Sequence, residues 1–94
     1  MYANMKKLYD RTPTVMWNMA VAHLLDIGFR EAIQITDEDI EQLEENGMMT
    51  QQFVQDLVRT TRDIAKECGN NVVEVIQFCT IEKCFDMKYY KKVK

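Results

Sequence analysis

The sequence predicts an all-α fold: a compact bundle of four main helices, with room for a short N-terminal helix at residues 3–10. Three observations carry this. Apolar residues recur at three- and four-residue spacing over long segments, as in helices with one buried face. The segments open on cap-forming residues and several close on glycine. Three glycines and one proline supply too few turns for a many-stranded sandwich or barrel. At 94 residues the chain reads as one domain, residues 1–94, with an N-terminal arm over 1–11 and a basic tail over 88–94. Its 47% hydrophobic and 29% charged residues are those of an ordinary globular domain and argue against disorder.

The first main helix opens at Thr12-Pro13. Threonine caps well, and proline suits the first helical position, where its missing N–H would be unpaired anyway. It runs to about Ile27, and Gly28 can take the left-handed conformation that ends helices. Only Asn18, His23 and Asp26 interrupt its apolar surface, so it must be central or covered on a second side by a partner. Phe29 to Ile35 reads as a connector sending apolar side chains inward, with a strand at Ile33-Gln34-Ile35 as the alternative.

The second helix starts at Thr36, where Ile35 and Ile40 can pack around the cap. Asp37, Glu38 and Asp39 lie in its first turn, where the helix dipole favours negative charge. Ile40 and Leu43 form its buried side, and Asn46-Gly47 ends it. The third helix repeats the device, with Thr50 as cap and Met49 against Val54. Its buried face is Phe53, Val54, Leu57, Val58, Thr61, Ile64, Ala65 and Cys68; Arg59–Asp63 and Asp63–Lys66 are expected ion pairs, and Gly69 is the stop. Asn71 caps the fourth helix, with Glu74 as its reciprocal partner. The inner face is expected to be Val72, Val75, Ile76, Phe78, Cys79, Ile81, Phe85 and Tyr89, continuous over some five turns. The β-branched run at residues 72–76 leaves a strand there as the alternative.

Little in the chain points to catalysis. Cys68, Cys79 and Cys84 are odd in number and read as free thiols of a reducing compartment. Cys79 and Cys84 are five apart, about 140° round a helix, whereas structural zinc pairs sit closer and on turns. His23, the sole histidine, lies in a very apolar helix and reads as a core or interface residue, with Asp26 as a local partner. No phosphate loop, nucleophile elbow or deaminase signature is present. The acidic run from Asp37 to Glu45 has Gln42 where a calcium loop needs glycine, so it reads as a solvated helix. The expectation is therefore no enzyme, no cofactor and no metal.

Charge is uneven although the net value is only -3. Residues 35–46 carry six carboxylates and no cation, while the tail Lys88-Tyr89-Tyr90-Lys91-Lys92-Val93-Lys94 is basic. Lysine and tyrosine together could grip nucleic acid; equally, lysines offset the dipole at a helix C-terminus. The second and third helices invite comparison with a helix-turn-helix, with Gln51, Gln52 and Gln55 toward bases. The six carboxylates would sit against phosphate, so nucleic-acid binding is the alternative and not the first reading.

Seven methionines, including Met16, Met19 and the Met48-Met49 pair, suit a surface that adapts to a helical partner. The first reading is thus a small non-catalytic protein–protein interaction module, an adaptor, inhibitor or regulator acting through a helical surface as a homodimer. Its candidate contact residues are Met16, Trp17, Met19, Met48, Met49, Lys88, Tyr89, Tyr90, Lys91 and Lys92, with the first helix supplying much of the dimer contact. Neither an apolar leader nor a span of about 20 residues is visible, so the expectation is a cytoplasmic protein with no membrane partner. Size and composition suit a phage or bacterial accessory protein.

Overall fold

The computed structural model describes residues 2–29, 37–45, 47 and 50–92, with the backbone alone for Asp39, Ile40, Lys91 and Lys92. Six helices follow one another: α1 (Ala3–Asp10), α2 (Thr14–Ile27), α3 (Asp37–Glu45), α4 (Gln51–Glu67), α5 (Val72–Glu82) and α6 (Met87–Lys92). The all-α class holds, helix exceeds half the chain, and no strand occurs among the described residues. Residues 72–78, with their strand alternative, are helical; residues 30–36, with the Thr36 cap and Ile35 staple, lie outside the described residues, as does Met49.

α2 is the axis of the bundle. It packs along α4 and also meets α5 and α6, while α1 lies on α4. This explains its all-round apolarity: Trp17, Ala20, Val21 and Leu24 are fully buried by the chain's own helices. Trp17 joins an aromatic cluster centred on Phe78 of α5, edge-on to Tyr9 at 4.9 Å and to Phe78 at 5.9 Å. Tyr2 meets the same Phe78 ring at 5.6 Å. Such pairs add about 0.5–1.5 kcal/mol each beyond the area they bury. The N-terminal arm is therefore helix α1, with Met5 and Leu8 in the core. Cys68 Sγ lies 3.8 Å from Met5 Sδ, joining α4 to α1.

Several helix ends follow their local chemistry. The Thr50 side chain accepts the Phe53 N–H at 3.1 Å, and that of Asn71 accepts the Val73 N–H at 3.0 Å. Gly69, at φ 58°, closes α4 in a double-bonded turn: its N–H meets the Lys66 carbonyl, and the Asn70 N–H meets that of Ala65. α2 departs from expectation at its start. Thr12 does not cap it; its hydroxyl donates to the Leu8 carbonyl at 2.5 Å, back onto α1. The helix opens a residue later, with the Pro13 carbonyl accepting the Trp17 N–H at 2.9 Å. Gly28 is left-handed as expected, but Phe29 follows it at φ 76°. A bulky residue there is strained, and Phe29 is held by burial of its ring in the core.

The fourth predicted helix is two helices. α5 stops at Glu82, Lys83 turns left-handed at φ 51°, and α6 begins at Met87. Its inner face is Val75, Phe78 and Cys79; Ile76 and Ile81, placed inside by the apolar spacing, are exposed. On α4, Arg59 pairs with Asp56, one turn before it, in place of the expected Asp63 one turn after it. α3 is a solvated acidic helix held by Leu43, whose side chain is buried while its described carboxylates are exposed.

Candidate functional site

The corner between α5 and α6 shapes the most developed surface feature. Val72, Ile76 and Cys79 of α5, Val21 and Leu25 of α2, and Phe85 line a groove of about 590 Å³. Thr80, Met87, Tyr90 and Lys83, its one charged side chain, complete the lining, and the groove opens where the chain turns at Lys83. That turn is stabilised from α2: the buried Asn18 carboxamide accepts the Asp86 N–H at 2.7 Å and donates to the Thr14 carbonyl at 2.8 Å. Asp86 in turn accepts the Lys88 N–H at 3.0 Å and starts α6.

Beside the groove, α5 turns an uncharged face to solvent. Val73 (58% exposed), Ile76 (48%) and Ile81 (63%) stand there with Gln77 and Thr80. Residues 73, 76 and 80, and 73, 77 and 81, are neighbours by helical spacing. The polar groups on this face are partly engaged inward. The Thr80 hydroxyl donates to the Ile76 carbonyl at 2.8 Å, and Gln77 Oε1 accepts the Tyr2 hydroxyl at 3.0 Å. Of the two charges of α5, Glu74, seven residues before Ile81, borders this stripe, while Glu82 lies off it and meets Lys6 of α1 at 3.2 Å. Lys6 also holds Asp10, and the two carboxylates, Asp10 first, raise its pKa.

The residues singled out from the sequence are scattered. Met16 and Trp17 belong to the core, so they are not surface contacts of the folded chain; Met19 is half-buried against that core. Met48 lies outside the described residues, as does Met49. Tyr90 lines the groove and Tyr89 is half-buried. Lys88 is exposed, 3.7 Å from Asp86 and over the Tyr89 ring. Lys91 and Lys92 continue the α6 backbone. Sequence reasoning missed the exposed row Val73, Ile76, Ile81 and Met87. Its signal was present in the apolar residues all round α5, but spacing alone assigned Ile76 and Ile81 inward and left Val73 and Met87 unassigned.

The three thiols are free and buried. Burial, with Glu74 and Glu67 adding to it, pushes the Cys68 thiol up to about 12. The neighbouring Cys79 and Cys84 thiols act on each other, which raises Cys79 and holds Cys84 below the ordinary thiol value. Trp17 Nε1–H, buried and without a hydrogen-bond partner of its own, adds to the lowering at Cys84. Among the described residues no group of three His, Cys, Asp or Glu side chains could hold a metal, and no helix is long and apolar enough to cross a membrane.

A second cleft, of about 390 Å³, lies between the α1–α2 corner and α4, lined by Arg11, Asp56, Arg59 and Asp63. Its charges include the Arg59–Asp56 pair, and Gln52 donates to the same Asp56 at 2.9 Å. The glutamine face considered for base reading thus points partly at its own carboxylate. Compared with known proteins, the chain matches no family model, no curated protein and no solved structure.

Proposed function

We propose that this chain is a small non-catalytic protein–protein interaction module that works as a homodimer through the exposed face of α5. The observation that carries the reading is the uncharged stripe Val73, Ile76, Gln77, Thr80 and Ile81, continuous with an apolar groove. A surface helix ordinarily turns charge toward water, and single exposed apolar residues need no explanation. Here three large apolar side chains share one helix face, with Glu74 only at its edge. A face without charge meets no like-charge repulsion from a second copy of itself, as suits a two-fold contact in which residue i of one copy meets residue j of the other and the reverse. The occupant of the face is therefore α5 of a second copy. The dimer contact moves from α2, which the core consumes, to α5.

Sedimentation equilibrium of the full chain tests this, with Ile76→Glu and Ile81→Glu as variants. Both sites are exposed, so the variants keep the helical circular dichroism of the parent. The parent sediments as a dimer and the variants as monomers, since a charge buried without a partner costs several kcal/mol, on the order of 100-fold or more in Kd. A parent that stays monomeric at its highest soluble concentration overturns the dimer. A dimer indifferent to both substitutions overturns the surface.

A further inference from the structure

We infer that Cys79 and Cys84 form a redox-modification site, a thiol pair placed by the α5 terminus to close into an intrachain disulfide when hydrogen peroxide reaches it. The backbone brings the two residues together. Lys83 is left-handed, and the N–H groups of both Lys83 and Cys84 return to the Cys79 carbonyl, the latter at 3.2 Å. A helix ended this way folds the residue after the left-handed one back over the last turn, and their side chains meet. A disulfide needs such closeness, with Cα atoms about 4.4–6.8 Å apart. Both residues are buried, yet Cys79 lines the groove, so a small oxidant entering there comes to the thiol beside Cys84. The neighbouring Cys79 thiol and the nearby Trp17 N–H favour the thiolate on Cys84, and the thiolate is the reactive form. Cys68 sits apart, against Met5 with its thiol pushed up, and serves as the internal control.

The chemistry balances with peroxide as oxidant. The Cys84 thiolate attacks one peroxide oxygen and the O–O bond breaks. Cys84 becomes a sulfenic acid, and the departing hydroxide takes the proton that Cys84 released, forming water. The Cys79 sulfur then attacks the Cys84 sulfur and the S–O bond breaks. The second hydroxide leaves with the Cys79 proton as water. Two thiols are oxidised to one disulfide and one peroxide is reduced to two waters. The new bond locks the Lys83 turn, which is the corner that walls the groove.

The test uses the reduced full-length protein and hydrogen peroxide, followed by alkylation under denaturing conditions and mass spectrometry. The expected product is a monomeric chain that has lost two hydrogens and keeps one of its three alkylatable thiols. Trypsin cuts after Lys83, so the bond appears as residues 67–83 joined to 84–88, with fragmentation placing the alkyl group on Cys68. This readout needs no variant. As a second arm, Cys68→Ala retains the product and Cys84→Ser loses it. Three thiols still alkylatable after treatment, a bond that includes Cys68, or bonds only between chains would each overturn the assignment. None of these outcomes depends on the dimer.

Discussion

Asn18 and Asp86, far apart in sequence, are joined by a 2.7 Å hydrogen bond from the Asp86 backbone to the Asn18 side chain. Asn18 is only 3% exposed, and both ends of its carboxamide are occupied, the other by the Thr14 carbonyl. A polar residue that interrupts an apolar helix would suggest a solvent-facing stripe. Here it is the internal fastening of α6 to α2. Replacing Asn18 with Leu is expected to cost about 1–3 kcal/mol, because the Asp86 N–H loses its acceptor in a part-buried site. Hydrogen exchange should show α6 opening before the rest of the bundle, with α4 protected as before. Uniform loss of protection would mean that Asn18 supports the whole core and not α6 in particular.

The two described side-chain caps offer a local test. Thr50→Ala and Asn71→Ala each remove an acceptor from an exposed helix N-terminus. Each is expected to lower stability by about 0.5–2 kcal/mol in urea unfolding, while Thr→Ser at position 50 costs little because the hydroxyl remains.

Lys83 carries a side chain in a conformation that glycine tolerates better. It is exposed and makes no ion pair among the described residues. Lys83→Gly is expected to stabilise by up to about 1 kcal/mol through relief of that strain. Gly28→Ala is the mirror case: at φ 64° nothing stands within 4 Å of an added Cβ. The cost there is backbone strain alone, about 1–2 kcal/mol. Thermal melts of the two variants should move in opposite directions.

Cys68 makes stability depend on alkaline pH. Its folded thiol titrates at about 12, above the unfolded value near 8.5. The unfolded chain therefore loses this proton first. The contribution is fully present below pH 8.5 and is lost as pH rises toward 12, at about 1.4 kcal/mol per pH unit for the one group. Urea unfolding between those limits should show a shallower decline for Cys68→Ala than for the parent. Parallel slopes would show that the buried thiol does not set the alkaline limb.

Local chemistry made much of the fold readable in advance. The hydrogen bonds of Thr50 and Asn71 reach two or three residues along the chain, and Gly28 and Gly69 act on the turn that contains them. Such signals travel in the sequence itself, as does the apolar spacing that placed Leu57, Thr61, Ile64 and Cys68 on one buried face. The site was less readable. Apolar spacing says that a helix has a buried side, but α5 is apolar all round, so spacing could not choose between Val75 and Ile76.

The sequence by itself therefore determined the helical class, several helix ends, and an α2 too apolar to lie at a surface unaided. Tertiary structure decided which side of α5 faces water and where that helix stops. No glycine marks the stop at Lys83. A helix continued beyond Glu82 would carry residues 84–90 off the end of the bundle, whereas the turn seats Cys84 in the core and sets Phe85 and Tyr90 beside α2. A left-handed lysine costs about 1–2 kcal/mol, and burying side chains of that size returns about 1.5–3 kcal/mol apiece when complete. That balance depends on where α2 stands, which no window of sequence around Lys83 contains.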